Sequence, residues 1–180
     1  MTPTDHYPPE RLVPYDRRWP ELYARFESDL RSLLGDDWDL EHVGSTSVPG
    51  LPAKPVIDIA VRMPPGTTDA EAGQRLVTGG WSRPVPVGDH WAATFPATGV
   101  RTAIVHLFTA VQWPEAHLRL FAATLRQDPQ RRDEYAALKQ ALVADNVWGP
   151  AYTESKGPFV TRTVNQARAA MGLPEVDHPL

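Results

Sequence analysis

Between Val56 and Arg62 the chain alternates in side-chain character, and this stretch limits the fold more than any other. A β-strand turns successive side chains to opposite faces, so Ile57, Ile59 and Val61 share one face while Val56, Asp58, Ala60 and Arg62 share the other. The β-branched face has to be covered by a second layer, and the opposite face carries one carboxylate among apolar neighbours. Just upstream, Gly44 to Pro55 is too rich in Gly, Ser, Thr and Pro to be regular throughout, and Trp38 to Val43 before it reads as a short strand. A strand, an irregular loop and a second strand with a lone acid mark the loop as a candidate functional segment.

The flanking patterns supply the layers. Pro20 opens a helix in which Trp19, Leu22, Tyr23, Phe26, Leu30, Leu33 and Leu34 recur at three- and four-residue steps, stopped by Gly35. Thr68 caps a second helix over Asp69 to Thr78, ended by Gly79 and Gly80 and anchored by Leu76 and Val77. Trp91 to Phe95 and Val100 to Thr109 read as strands joined through Ala97, Thr98 and Gly99, with Val100, Thr102, Ile104, His106 and Phe108 on one face. The Pro-rich 83 to 87 stretch is expected to route the first of these to a sheet edge. Pro114 opens a helix carrying Leu118, Phe121 and Leu125, and Asp128-Pro129 caps another carrying Tyr135, Leu138 and Leu142. A last helix starts near Pro150, where Gly157-Pro158 is expected to kink or break it and Gly172 to end it. The fold class is therefore α/β, a small mixed sheet with packed helices in one domain over residues 1–180, with 1–12 and 173–180 as flexible tails.

Composition narrows the function. The chain of 180 residues has no cysteine, which removes thiolate catalysis, zinc fingers and disulfide scaffolds. Its 18 basic and 22 acidic side chains give a net charge of −4, which offers no general attraction for nucleic acid or anionic membranes. No apolar run approaches the length of a membrane span, and the opening MTPTDHYPPE lacks a signal-peptide pattern. A soluble, unprocessed, cytoplasmic protein is expected. There is no G-x-x-x-x-G-K-[ST], H-E-x-x-H, G-x-S-x-G or G-x-G-x-x-G motif.

The segment from Glu41 to Ile59, EHVGSTSVPGLPAKPVIDI, resembles the GrpB-like family, whose signature runs E-H-V-G-S-T-[SA]-V-P-G-L-x-A-K-P-[IV]-[IV]-D-I-D. The likeness extends to Val13-Pro14-Tyr15-Asp16, Trp19-Pro20, the strand with His106, Tyr135 to Lys139, and Tyr152 to Lys156. The resemblance implies a nucleotidyltransferase-like fold in which the Gly-Ser loop meets nucleotide phosphates and two carboxylates spaced D-x-D hold a divalent metal. Two departures stand out. Position 60 is Ala60, which has no lone pair for a metal, and Phe121-Ala122-Ala123-Thr124-Leu125-Arg126 replaces the family's F-R-D-x-L-R. The metal site is thus atypical and depleted. Glu41, a substrate or water remain as sources of the missing oxygen.

Asp58 is the expected catalytic carboxylate and metal ligand, for Mg²⁺ or Mn²⁺ alongside phosphate oxygens. His106 and His42 are candidates for proton transfer in the same pocket, or else hydrogen-bonded structural histidines. Gly44, Ser45 and Thr46 either hold phosphate or only satisfy the loop, and Lys54 either meets a phosphate or is solvated. Tyr152 and Lys156, four residues apart, either close over a nucleotide or pack as a helix face. The other tryptophans are read as packing, and Trp91 as a residue of the substrate mouth. The reading is a nucleotide-using transferase acting with a nucleoside triphosphate on a small-molecule acceptor, without a nucleic-acid polymer or a membrane as partner. Its alternatives are ATP-dependent ligation or metal-independent transfer on a specialised metabolite, and a non-catalytic nucleotide-binding module.

Overall fold

In the computed structural model, which describes residues 7, 8 and 11–177, the chain opens its regular structure at α1 (Trp19–Leu34). Pro20 occupies the first turn, where no N–H is needed, and Trp19, Leu30 and Leu34 are buried. Strand β1 (Asp39–Val43) runs antiparallel to β2 (Ile57–Arg62), and α2 (Asp69–Thr78) follows under a capping box formed by Thr68 and Glu71. Strands β3 (Val85–Val87), β4 (His90–Phe95) and β5 (Ala103–Phe108) complete a sheet of order β1-β2-β5-β4-β3. Only β2 and β5 pair in parallel, and the excursion through α2, β3 and β4 supplies the long crossover such a pair needs. The α/β class with a small mixed sheet and packed helices is as the sequence predicts.

The alternation of β2 sorts the two layers. Ile57, Ile59 and Val61 join Val105, Leu107, Ala93 and the buried faces of α1 and α2 in the larger core cluster. The other face is covered by α3 (His117–Gln127), α4 (Pro129–Ala144) and α5 (Pro150–Ala170), whose Phe121, Leu125, Tyr135, Val160 and Val164 pack with Val48 and Leu51 of the loop. Asp58 and Ala60 face this second layer. In the parallel register Ala60 lies beside His106, so β5 is the immediate neighbour of the acidic strand.

Several expectations are corrected. The Pro-rich stretch does not send β4 to the edge; it forms the edge strand itself, with Pro86 at a position where a missing N–H is tolerated, and β4 is interior. Val100 and Thr102 lie outside β5. Val77 is 42% exposed and does not anchor α2, whereas Leu76 is fully buried. Ahead of α3, Trp113–Glu115 form a separate 3₁₀ turn, and the extended Ala116 restarts the chain into the helix. Helix α5 runs unbroken through Pro158. Glu154 and Pro158 are exposed, so the carbonyl that loses its partner faces solvent. Residues 173–177, expected as a flexible tail, dock on α5: Asn165 exchanges hydrogen bonds with Val176 at 2.9 and 3.0 Å, and Arg168 donates to the Pro174 carbonyl. At the other end Val13 bridges to Ala53 in both directions. The remaining tail residues, 1–6, 9, 10 and 178–180, lie outside the described residues. Among the described residues no helix is long and apolar enough to cross a membrane.

The contrast within α2 is testable by urea denaturation. Leu76→Ala should cost about 2–5 kcal/mol, as buried leucine truncations do, while Val77→Ala should stay within about 0.5 kcal/mol of the parent. Equal costs would contradict the helix rotation described.

Candidate functional site

The loop after β1 is fixed at its first residue. Gly44 has φ +67°, and a Cβ there would lie 2.2 Å from Oδ2 of Asp58 and 2.8 Å from its Cβ. Glycine is required twice, for the left-handed backbone and for the close passage over the carboxylate. Ser45–Ser47 then form a 3₁₀ turn in which the Ser47 hydroxyl donates to the Gly44 carbonyl at 2.7 Å. The buried Thr46 hydroxyl donates to the Val56 carbonyl at 3.3 Å. From α3, the Arg126 guanidinium donates to the carbonyls of Ser47 and His42, clamping both ends of the turn.

Beneath the loop is a cavity of about 660 Å³ between the sheet and the helices α3 to α5. Asp58, His106, Gly44, Ser45, Thr46, Lys54, Tyr152 and Lys156 all line it, so eight of the nine residues singled out from the sequence converge. Lys54 lies over the rings of Tyr7, Trp148 and Tyr152 at 4.1, 4.7 and 5.4 Å, and Lys156 over Tyr152 at 4.4 Å. Trp148 thus packs on a lysine of the cavity wall without lining the cavity itself. A third lysine, Lys139 of α4, is only 2% exposed and donates to Ser45 Oγ at 3.1 Å and to the Pro52 carbonyl. Burial, then the neighbouring Lys156 and Lys54, pulls the Lys139 ammonium down to about 7. Burial and Lys54 bring Lys156 to about 8, and burial lowers Lys54 as well. Three ammonium groups thus share a low-dielectric space with one nearby carboxylate, an arrangement that a polyanion would relieve.

The ninth residue, His42, does not enter the cavity. It pairs in register with Ile59, on the α1 side of the sheet, where its ring stacks on Tyr23 at 4.8 Å. Its Nε2 lies 3.0 Å from Thr46 Oγ1, and burial holds the ring neutral, down to about 4. His42 supports the loop from behind. Trp91 is corrected likewise: it is partnered with Leu107 and packs against the larger core, while His90, Ala92 and Thr94 of the same strand face the cavity. Glu41 does not replace the oxygen missing at Ala60, because its carboxylate is taken by Arg119 at 2.6 Å and lies 3.7 Å from Arg126.

His106 Nε2 lies 3.6 Å from Asp58 Oδ1, and its Nδ1 lies 2.9 Å from Nε2 of His90. Burial, then the His106 ring, lowers His90 to about 4, and burial with His90 lowers His117 to about 4. A hard divalent ion held through one carboxylate and substrate phosphates fits Asp58 beside the lysine-lined space; a cage of two protein carboxylates does not fit, since Ala60 offers no donor. Sequence reasoning missed Lys139, Arg126, His90 and His117. The strand period held one usable signal, because a β4 with Trp91 on the core face puts His90 on the face of His106. A lone lysine or arginine on an amphipathic helix gives none.

A family model described as GrpB protein matches residues 9–166. The chain is 33% identical over 161 residues to a UPF0157 protein of Streptomyces coelicolor, covering 88% of this chain and 84% of that one. It is 32% identical over 164 residues to a UPF0157 protein of Halalkalibacterium halodurans, covering 88% and 82%. The crystal structure of the conserved protein GrpB from Enterococcus faecalis superposes with a TM-score of 0.74 at 23% identity, covering 89% of this chain and 99% of that one.

Two outcomes follow from the geometry. Gly44→Ala should destabilise by about 2–4 kcal/mol through positive φ and overlap. In an Asp58→Gly background the same change should cost only the backbone strain, about 1–2 kcal/mol; purely additive costs in urea unfolding would refute the contact. The second outcome concerns pH. Unfolded lysines keep their protons up to the ordinary value of 10.5, whereas Lys139 and Lys156 release theirs near 7 and 8. The unfolded chain therefore binds more protons over this window, and stability should rise from pH 7 to 9.5. The phenols of Tyr135 and Tyr152, raised by burial, titrate above it. Lys139→Met should flatten the rise in unfolding midpoint; a midpoint that falls with pH would contradict the depressed lysines.

Proposed function

The chain belongs to the GrpB family, and from that premise we propose that it is a nucleotide-using transferase that moves a nucleotidyl group from a nucleoside triphosphate to a small-molecule acceptor. One observation carries the reading: Lys54, Lys139 and Lys156 meet Ser45 and Asp58 around a cavity of about 660 Å³ in a chain whose net charge is −4. Positive charge concentrated against the overall balance, in a space large enough for a small ligand, fits a triphosphate. The lysines neutralise its oxygens, Ser45 Oγ hydrogen-bonds them, and Tyr152 presents a ring at the same wall. A hydroxyl oxygen of the acceptor attacks the α-phosphorus, the bond from that phosphorus to the bridging oxygen breaks, and pyrophosphate leaves with the electron pair. The acceptor proton passes to the Asp58–His106 pair. Asp58, with phosphate oxygens, would hold Mg²⁺ or Mn²⁺, which supplies charge neutralisation at the leaving group.

Ala60 favours a second reading, in which the lysines alone neutralise the leaving group and transfer, or ligation through an adenylate, needs no ion at Asp58. Thermal-shift titrations with ATP, GTP, CTP and UTP, each with Mg²⁺, Mn²⁺ or EDTA, separate the two. A nucleotide at 100 times its dissociation constant stabilises by about 2.7 kcal/mol. A metal-dependent shift with one nucleotide, lost in Asp58→Asn and in Lys139→Met, is the expected result. A shift that persists in EDTA moves the reading to the metal-independent reaction. No shift with any nucleotide removes both.

A further inference from the structure

The cavity wall formed by β4 and α3 carries a second cluster of donors. Asp89 Oδ1 lies 3.2 Å from His90 Nδ1 and 4.0 Å from His117 Nδ1, and one donor atom from each of the three residues falls within 4.8 Å of the others. His117 is 94% buried by its 6% exposure, opens on the cavity, and makes no hydrogen bond among the described residues. No fully buried side-chain nitrogen among the described residues lacks a partner, so the His117 ring nitrogens without a protein partner reach the cavity, where a ligand can take the lone pair. His90 is held in place by stacking on the buried Phe108, with ring centroids 4.7 Å apart and planes 20° from parallel.

The proton count along the wall points the same way. Asp89, His90, His106 and Asp58 form a line with gaps of 3.2, 2.9 and 3.6 Å. Two imidazoles with one proton each bring two protons to these three gaps, so one gap always lacks a proton, and which one is set by the tautomers. If His90 donates through Nε2 to His106 Nδ1, then His106 donates through Nε2 towards Asp58, and the bare nitrogen is His90 Nδ1. That nitrogen points into the Asp89–His117 cluster. A cation there removes the conflict and leaves every other donor matched.

We propose that Asp89, His90 and His117 form a binding site for a divalent transition-metal ion, separate from the position of Asp58 and open on its remaining side to the cavity. Two imidazoles and a carboxylate suit Zn²⁺, Co²⁺ or Ni²⁺ over Mg²⁺, and three protein ligands with an open position follow the pattern of catalytic rather than structural zinc. Donors at these separations close around an ion with a contraction of about 1 Å, since metal–ligand bonds run to about 2.0–2.2 Å. The line through His106 then acts as the outer hydrogen-bond support of ligand His90, ending on Asp58. With the ion in place His106 keeps its Nε2 proton and orients Asp58. The site does not require the nucleotide reading to hold, because the donors come from the protein alone.

The test uses untagged full-length protein stripped with EDTA, titrated with Co²⁺ and Zn²⁺ by calorimetry, with the visible absorption of Co²⁺ as a second readout. One equivalent should bind in the absence of nucleotide, with Mg²⁺ failing to compete. His117→Ala and Asp89→Asn should each weaken binding by about tenfold or more, with Asp58→Asn having the smaller effect. Asp89 is 67% exposed in its side chain, so Asp89→Asn tests the site without threatening the fold. Absence of stoichiometric binding, indifference to Asp89→Asn and His117→Ala in variants of unchanged circular dichroism, or loss confined to Asp58→Asn would overturn the proposal.

Discussion

The passage of the Gly44 backbone over the Asp58 carboxylate sets where everything around the cavity stands. With a Cβ at 44 the two would overlap at 2.2 Å, so the loop can lie on β2 only because that position has no side chain. Once it does, the 3₁₀ turn delivers Ser45 to the lysine cluster, buries Thr46 between His42 and the Val56 carbonyl, and leads Val48 into the packing of the helices. Arg126 then ties the turn to α3 through two backbone carbonyls. The loop is thus a rigid wall, and its hydroxyls are presented by backbone geometry rather than by side-chain choice.

The two faces of the sheet divide the labour. On one, aliphatic strand residues and the tryptophans of α1 and its flanks make an apolar core that tolerates no polar group without a partner. On the other, the same strands present Asp58, His106 and His90 to a space rimmed by lysines. The single parallel pair is what makes this possible. By setting β5 directly beside β2 it puts His106 level with Ala60, so an imidazole stands next to the position from which a carboxylate is missing.

Much of this was legible in the sequence, for physical reasons that can be named. Strong periodicity gave α1, the Thr68 cap and the Gly79-Gly80 stop gave α2, and alternation gave both faces of β2. The resemblance over Glu41 to Ile59 led to five of the eight residues that line the cavity, and its extensions along the chain led to His106, Tyr152 and Lys156. What escaped was whatever depends on pairing or on distant partners. His42 sits opposite Ile59 only because of the antiparallel register, and no local pattern states which face that gives. A three-residue edge strand around Pro86 is too short to register as a period. Pro158 reads as a breaker until it is known that its turn faces solvent, and Lys139 reads as a solvated helix residue until α4 is laid on the loop.

The setting of Lys54 has a consequence for how the cavity keeps its charge. Its ammonium is held by the faces of Tyr7, Trp148 and Tyr152, contributed by the N-terminal segment and the start of α5. A carboxylate partner would fix the lysine by cancelling its charge. Aromatic quadrupoles fix it and leave the charge uncancelled. The protein thereby stores a positive potential in a defined place, at a cost in desolvation that is recovered only when an anion arrives. An arrangement of this kind discriminates by charge density before it discriminates by shape, because a neutral ligand that fills the same volume recovers none of that cost.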